Sequence, residues 1–359
     1  MTMFGMWHRP FESTLDEVHQ TLESLASIHV TDLYVETFFN GRLIFDSVNS
    51  IISKHDFVGH YGRYGSDLLL AFIETGKMYG MTIHAWVENF FIGRYQTLQD
   101  IPKIDLYESY LLRNRDGSIF QKNEVNYVFL DPAHPKVQKY ILSLYRDIAN
   151  HHDLGSLHLD YIRYPLSYHQ SVGDLTDDNG YTTYALKQFS KKYGFQGNVA
   201  AIMNFDDCVL SKWKTYKISR IHRMIRKIRF LIPDIQLSTA VFGNPEHALK
   251  QKMQDWKRWV DQGWISFIVP MAYYKSKETI FQEISRMRSL IQTIPIYAGL
   301  APGFMGLSIQ DELDSIQAAY DAGSEGIVLF ATQNYLDRHF NGSSDHRDIR
   351  LALLHFIDQ

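Results

Sequence analysis

The segment Thr82 to Glu88, with the sequence TIHAWVE, alternates apolar residues with polar or aromatic ones. Side chains of a β-strand point alternately to its two faces. Three residues of one parity are apolar and suit contact with covering helices: Ile83, Ala85 and Val87. The opposite parity places His84, Trp86 and Glu88 together on the second face. This pattern predicts a barrel strand, with helices outside and functional groups inside.

Seven further apolar runs of similar length follow the same rule, and amphipathic helical patterns separate them. The eight runs are Met3 to Trp7, Asp32 to Phe38, Thr82 to Glu88, Ser156 to Asp160, Gln236 to Val241, Ile265 to Met271, Ile294 to Leu300 and Gly326 to Phe330. Strands that alternate with helices pair in parallel through right-handed crossovers, and eight such units close a barrel. We therefore predict one α/β domain over residues 1–359, a single (β/α)8 TIM barrel. A doubly wound sheet is the alternative, but no Gly-rich phosphate-binding fingerprint follows any strand.

Two connections are long and leave the carboxyl ends of predicted strands. The first follows strand three and runs from Asn89 to Pro135, with a hairpin turn signal at Asn114 to Gly117. The second follows strand four and runs from Tyr161 to Gly180. Barrel enzymes build their sites at this face, and loops of such length are usually functional. We expect the two loops to wall a cleft.

Strand parity directs three carboxylic acids into the barrel near the ends of neighbouring strands: Glu36, Glu88 and Asp160. Buried carboxylates are costly unless they are hydrogen-bonded or used in chemistry. Each candidate also has a structural interpretation. Glu36 could pair with an arginine, and Glu88 could cap the long loop. His84 and His158 could orient other groups by hydrogen bonds, and Asp131 could be the N-cap of a helix.

Paired carboxylates suit glycoside hydrolysis, in which one acid protonates the leaving oxygen and the other attacks the anomeric carbon or activates water. We predict Asp160 as the catalytic carboxylate, held ionised by the nearby Arg163. Glu88 or Glu36 is the predicted proton donor, and an apolar wall at Trp86 would raise the pKa of Glu88. Neighbouring strands lie about 4.8 Å apart, so Asp160 with Glu88 favours the retaining separation of roughly 5–5.5 Å. Glu36 would fit the wider, inverting geometry.

Aromatic residues make up 14% of the chain and several lie near predicted strand ends, where their rings could stack on sugars. The candidate substrate-binding residues are His84, Trp86, Asn89, Asp131, His158, Tyr161, Arg163, Tyr164, Tyr273 and Tyr274. The expected partner is therefore a carbohydrate.

The charge balance and the lengths of the apolar runs argue against some classes of function. Lys and Arg number 36 against 40 Asp and Glu, a net charge of -4, which argues against a nucleic-acid partner. No run approaches the roughly 20 apolar residues of a membrane span. The segment Met1 to Trp7 lacks the pattern of a signal peptide, so we expect a cytoplasmic protein, or a secreted one if an export signal was removed. We predict neither a cofactor nor a metal.

Two other functions stay open on these residues. A metal-dependent hydrolase could use His84, His158 and Asp160 as ligands. A non-catalytic barrel could bind glycan through the same cleft, because the sequence does not give the spacing of the two carboxylates.

Three segments resemble those of the glycosyl-hydrolase-like family 10 proteins: His84 to Asn89, Phe129 to Pro135 and Leu157 to Pro165. Later segments continue the likeness in the same order: Ser238 to Gly243, Gln254 to Trp256 and Val269 to Tyr274. The resemblance implies a (β/α)8 barrel that acts as an O-glycosyl hydrolase on polysaccharide, with bacterial cell-wall glycan among the substrates. One departure is Glu88-Asn89, which stands where many members have Asn-Pro.

Overall fold

A computed structural model describes residues 3–48, 52–101, 108–336 and Leu353, and within them eight parallel strands form a barrel. The strands are β1 (Met3–His8), β2 (Asp32–Phe39), β3 (Thr82–Glu88), β4 (Leu157–Asp160), β5 (Leu237–Val241), β6 (Phe267–Pro270), β7 (Tyr297–Leu300) and β8 (Gly326–Phe330). Their order is β7-β8-β1-β2-β3-β4-β5-β6. Parallel bridges from Ile268 to Ile296 and from Met271 to Gly299 join β6 to β7. The predicted (β/α)8 fold is confirmed, and each of the eight predicted runs matches one strand to within three residues at either end.

Helices follow the strands and cover the barrel. They are α1 (Leu15–Ala26), α2 (Leu68–Met78), α3 (Pro135–Ile148), α4 (Thr183–Tyr193), α5 (Val199–Ile202), α6 (Asp207–Leu231), α7 (Pro245–Lys252), α8 (Trp256–Asp261), α9 (Lys277–Leu290), α10 (Pro302–Met305) and α11 (Ile309–Asp321). Helix α1 shows how the sequence sets these elements. Thr14 and Glu17 form a capping box at its start, and its apolar stripe of Val18, Leu22 and Leu25 is buried. Among the described residues, no helix combines the length and apolar character needed to cross a membrane.

Strand parity divides the apolar residues into two layers. The outward-facing Ile83 and Ala85 belong to the large core between barrel and helices, together with Phe72 of α2. The inward-facing Tyr34 and Trp86 belong to a separate cluster inside the barrel. The parity assigned from the sequence is therefore correct for β2 and β3.

The long connection after β3 contains the predicted turn, where the Gly117 amide donates to the Asn114 carbonyl at 3.0 Å. The strand ladder of this connection lies elsewhere, between two short antiparallel strands, Phe91–Arg94 and Tyr127–Phe129. A third short strand, Arg42–Leu43, pairs with the end of β2. Backbone hydrogen bonds near Leu130 hold the chain in place just before α3 begins.

Candidate active site

The carboxyl ends of β3 and β4 bring two acidic side chains side by side. Glu88 and Asp160 are register partners on these adjacent strands, and both are buried. Together they line a cleft of about 830 Å³ at this end of the barrel. Both predicted loops contribute to it, through Glu124 and Tyr127 of the first and Tyr161 and Tyr168 of the second. The pair has the position that the sequence predicted for it.

Glu36 of β2 is held by an arginine that the sequence argument missed. Both Nε and Nη2 of Arg9 donate to the Glu36 carboxylate, the latter at 2.9 Å. Arg9 follows β1, and its Nη2 lies 3.9 Å from Oε1 of Glu88. Glu36 is fully buried and is not among the residues that line the cleft. Its geometry is that of a structural partner for an arginine, one of the two interpretations open from sequence.

Glu88 lies in surroundings that favour its protonated form. Burial raises its pKa well above the ordinary value, and the charge of Glu36 adds to this, while Arg9 opposes it. Within the described part of the chain, Oε2 of Glu88 is buried without a hydrogen-bond partner. The predicted rise is confirmed in direction, and a carboxylic acid at this position can donate a proton into the cleft.

Two hydrogen-bond donors fix the Asp160 carboxylate, one at each oxygen. Its Oδ1 accepts from the Tyr161 amide at 2.6 Å, and its Oδ2 accepts from Nε1 of Trp86 at 3.1 Å. Burial raises the pKa of Asp160 to about 6, although these bonds and the charge of Arg163 act to lower it. Arg163, which was predicted to hold Asp160 ionised, acts in that direction, but it is paired with another acid and burial outweighs its charge. Asp160 is still mainly ionised at neutral pH.

That other acid is Glu124, which the sequence argument also missed. Nη2 of Arg163 donates to Glu124 at 2.6 Å, and Nζ of Lys252 lies 3.5 Å from the same oxygen. Burial alone would raise the pKa of Glu124, but the two cations outweigh it and lower the pKa to about 2. Lys252 is buried against Arg163, and its pKa falls to about 7. The three groups form one wall of the cleft.

The two barrel histidines lie below the cleft and do not line it. His84 bonds Asp32 at 2.9 Å and Ser156 at 2.8 Å, and its ring stacks on Tyr34. His158 bonds Ser238 at 2.9 Å and accepts from Nε1 of Trp7 at 3.3 Å. Burial lowers the pKa of His158 well below its usual range. Both rings therefore have the orienting, structural arrangement rather than contact with the cleft.

Three other predicted substrate-binding residues also lie outside the cleft lining. Asn89 donates to the Asp160 carbonyl at 2.8 Å and accepts from the Tyr145 hydroxyl at 2.7 Å, so it ties the ends of β3 and β4 together. Asp131 accepts from the Ala133 amide at 2.8 Å and from the Thr182 hydroxyl. The N-cap of α3 is His134, so the N-cap interpretation of Asp131 was wrong. Tyr164 is buried away from the cleft.

Aromatic side chains and a further acid line the remaining walls. Trp86, Tyr161, Tyr273 and Tyr274 are all among the lining residues, as predicted, although Trp86 exposes only 3% of its surface. The Tyr274 hydroxyl donates to Oε2 of Glu283 at 2.7 Å. Oε1 of Glu283 is buried, with no partner in the described part of the chain. An unpartnered oxygen at a cleft wall is suited to a ligand hydroxyl.

The three residues considered as metal ligands, His84, His158 and Asp160, do not form a metal site. Over residues 3–48, 52–101 and 108–336, no group of three or more His, Cys, Asp or Glu side chains has an arrangement that could hold a metal ion. His84 and His158 use both ring nitrogens in bonds to barrel residues.

Several solved structures share the fold of this chain. It superposes on the catalytic domain of a β-amylase from Paenibacillus polymyxa with a TM-score of 0.64, at 10% identity and 98% coverage of both chains. A β-galactosidase from Bacillus circulans sp. alkalophilus gives 0.63 at 14% identity, with 99% of this chain covering 56% of that one. An α-galactosidase from Thermus thermophilus gives 0.51 at 10% identity, with coverages of 98% and 62%. At these identities the likeness shows the fold alone, a TIM barrel.

The sequence itself shows the family to which the chain belongs. The model of the family glycosyl hydrolase-like 10 matches residues 10–320, and the chain belongs to this family. Among curated proteins, none matches the chain significantly in sequence.

Proposed function

We propose that this protein is a glycoside hydrolase in which Asp160 and Glu88 perform the chemistry. One observation carries the proposal: the two carboxyl groups are register partners facing one cleft, and their surroundings give them different protonation states. Burial and the charge of Glu36 raise the pKa of Glu88 well above its ordinary value, while burial raises the pKa of Asp160 to about 6. An acid and a carboxylate on opposite sides of one bond are what glycoside hydrolysis requires.

The reaction we propose proceeds with retention. Asp160 attacks the anomeric carbon while Glu88 gives its proton to the departing glycosidic oxygen, so one C–O bond forms as the other breaks. Water then attacks the glycosyl–Asp160 ester, and the Glu88 carboxylate accepts its proton, which restores both groups. Adjacent strands lie about 4.8 Å apart, which favours the retaining separation of roughly 5–5.5 Å.

We further propose bacterial cell-wall glycan as the substrate. The support is a pair of arginines, Arg94 and Arg286, which line the same cavity as the acids. Arg94 and Arg286 are exposed. Cell-wall glycan strands without stem peptides carry a carboxylate on every second sugar, and cations near the surface attract such a chain.

The test is incubation of the purified protein with a panel of polysaccharides, with product mass as the readout. The panel includes denuded peptidoglycan strands and strands that keep their stem peptides. Asp160→Asn and Glu88→Gln should each lower turnover by orders of magnitude while the protein stays folded. The matched controls are two buried acids outside the cleft, Asp131→Asn and Glu312→Gln, whose parent residues have pKa values raised by burial to about 6 and about 7.

Two results would contradict the proposal. Substantial activity of Asp160→Asn on a substrate that the wild type cleaves would place the chemistry elsewhere. Tight binding of a glycan by the wild type without any cleavage would favour the non-catalytic, glycan-binding alternative.

A further inference from the structure

A second pocket lies beside the cleft, on the other side of Arg9. It has a volume of about 670 Å³ and is lined by segments that follow β1, β2 and β8. The carboxyl ends of parallel barrel strands share one face, so this pocket opens at the same end of the barrel as the acids. Arg9 lines both cavities.

The walls of this pocket combine aromatic rings with amide groups. Phe11 and Phe57 are half-buried, and the rings of Phe39 and His55 stack at 3.9 Å behind them. Asn40 and Gln333 are exposed at the rim. Flat apolar rings bordered by donors and acceptors suit a sugar, which presents C–H groups on its faces and hydroxyls at its edge.

The charge in this pocket differs from that of the main cleft. None of its ten described lining residues is a carboxylate, and Arg9 is its single permanent cation. The guanidinium of Arg9 is already bonded to Glu36 and lies 5.8 Å from the centre of the Phe39 ring. His55 is buried, which lowers its pKa to about 4 and leaves the ring neutral at physiological pH. These surroundings suit a neutral ring rather than an anion.

We propose that this pocket is a distal subsite, which holds a neutral sugar ring of the same glycan chain whose scissile bond lies between Glu88 and Asp160. Arg9 forms the partition between the two sites, because one guanidinium contacts Glu36, approaches Glu88 and packs over Phe39. A chain long enough to pass Arg9 gains contacts that a short one does not. This inference rests on the proposed function.

The test compares short and long ligands in a background that does not turn them over. Asp160→Asn protein is titrated calorimetrically with disaccharides and hexasaccharides of chitin, cellulose and starch, and with denuded peptidoglycan strands. Phe57→Ala should weaken binding of the best hexasaccharide or strand by roughly three- to tenfold and leave the matching disaccharide unchanged. Gln333→Ala, at an exposed position, should act in the same direction. Phe230→Ala, an exposed ring on α6, is the matched control and should change neither.

The outcomes separate the two proposals. If neither variant affects long ligands selectively, or if no long ligand binds the parent, the distal subsite is wrong. If long ligands need Phe57 but the wild type cleaves none of them, the subsite stands and the hydrolase proposal fails. If the wild type cleaves a polysaccharide and Phe57→Ala leaves its KM unchanged, the hydrolase stands and the subsite fails.

Discussion

At the residue scale, two carboxyl groups on adjacent strands differ in protonation because their neighbours differ. Glu88 lies near a second acid, and one of its oxygens has no hydrogen-bond partner in the described part of the chain. Burial therefore has the largest effect on the pKa of Glu88 and raises it. Asp160 receives two hydrogen bonds that stabilise its ionised form and hold its pKa near 6. The proposed roles of Glu88 as acid and Asp160 as nucleophile rest on this difference.

The pH dependence of kcat/KM should therefore be bell-shaped. Activity rises through about pH 6, as Asp160 loses its proton, and falls at higher pH, as Glu88 loses its own. Trp86→Phe keeps an aromatic ring but removes the donor to Oδ2 of Asp160. Because that bond lowers the pKa of Asp160, the rising limb should move to higher pH in this variant. The measurement is kcat/KM against pH on the polysaccharide that the panel identifies.

Trp259→Phe is the control for this shift. Trp259 is buried outside the cleft, and its Nε1 has no partner among the described residues. Its substitution should leave the rising limb in place. A rising limb that stays near pH 6 in Trp86→Phe would show that Asp160 is not the group responsible for it.

At the element scale, ion pairs fasten the long loops to the barrel. Glu124, from the connection after β3, accepts from Arg163 and from the Leu166 amide in the connection after β4. Lys252, at the end of α7, approaches the same carboxylate. Three connections thus meet at one acid, which sets the shape of the cleft wall.

Glu124→Gln should destabilise the fold by about 3 kcal/mol at neutral pH. The folded pKa of Glu124 is about 2 against an ordinary value of 4.5, and each pKa unit is worth roughly 1.4 kcal/mol. Since the folded pKa is lowered, this stability is present above pH 4.5 and is lost as the pH falls towards 2. The gap between wild type and variant, measured by denaturant unfolding, should shrink from pH 7 to pH 3.

Glu246→Gln is the control, because Glu246 forms an exposed pair with Lys250 one helical turn away. Exposed pairs contribute little, so no measurable change in the free energy of unfolding is expected. If the two variants behaved alike, the Glu124 cluster would have no special part in stability.

At the scale of the whole molecule, closure of the barrel depends on the seam between β6 and β7. A Cβ atom at Gly299 would lie 2.7 Å from Cη2 of Trp7 and 2.8 Å from the Pro270 carbonyl oxygen. The glycine therefore lets a β1 side chain fill the barrel where β6 and β7 meet.

Gly299→Ala should lower the free energy of unfolding by about 1–3 kcal/mol through overpacking. Trp7→Phe removes the ring atoms that the new methyl group meets, so the double variant should lose less than the sum of the two single variants. Denaturant unfolding of the four proteins completes the cycle. Additive losses would show that the methyl group and Trp7 do not meet.

The barrel and the direction of its inward side chains could be predicted from the sequence. Both are local properties, since a run of alternating residues is enough to predict a strand and its faces. For the same reason Glu88 and Asp160 could be placed at neighbouring strand ends, and the aromatic residues Tyr161 and Tyr273 near them.

Contacts between distant parts of the chain set which of these groups face the cleft and how they ionise. Arg9 meets Glu36 across 27 residues, and Arg163 meets Glu124 across 39, in pairings that no local pattern reveals. Asp131 and Asn89 were predicted to bind substrate, yet their side chains bond other parts of the fold and do not line the cleft. Burial raises the pKa of Asp160, and because burial depends on every element around the side chain, the charge of Arg163 alone could not predict this direction.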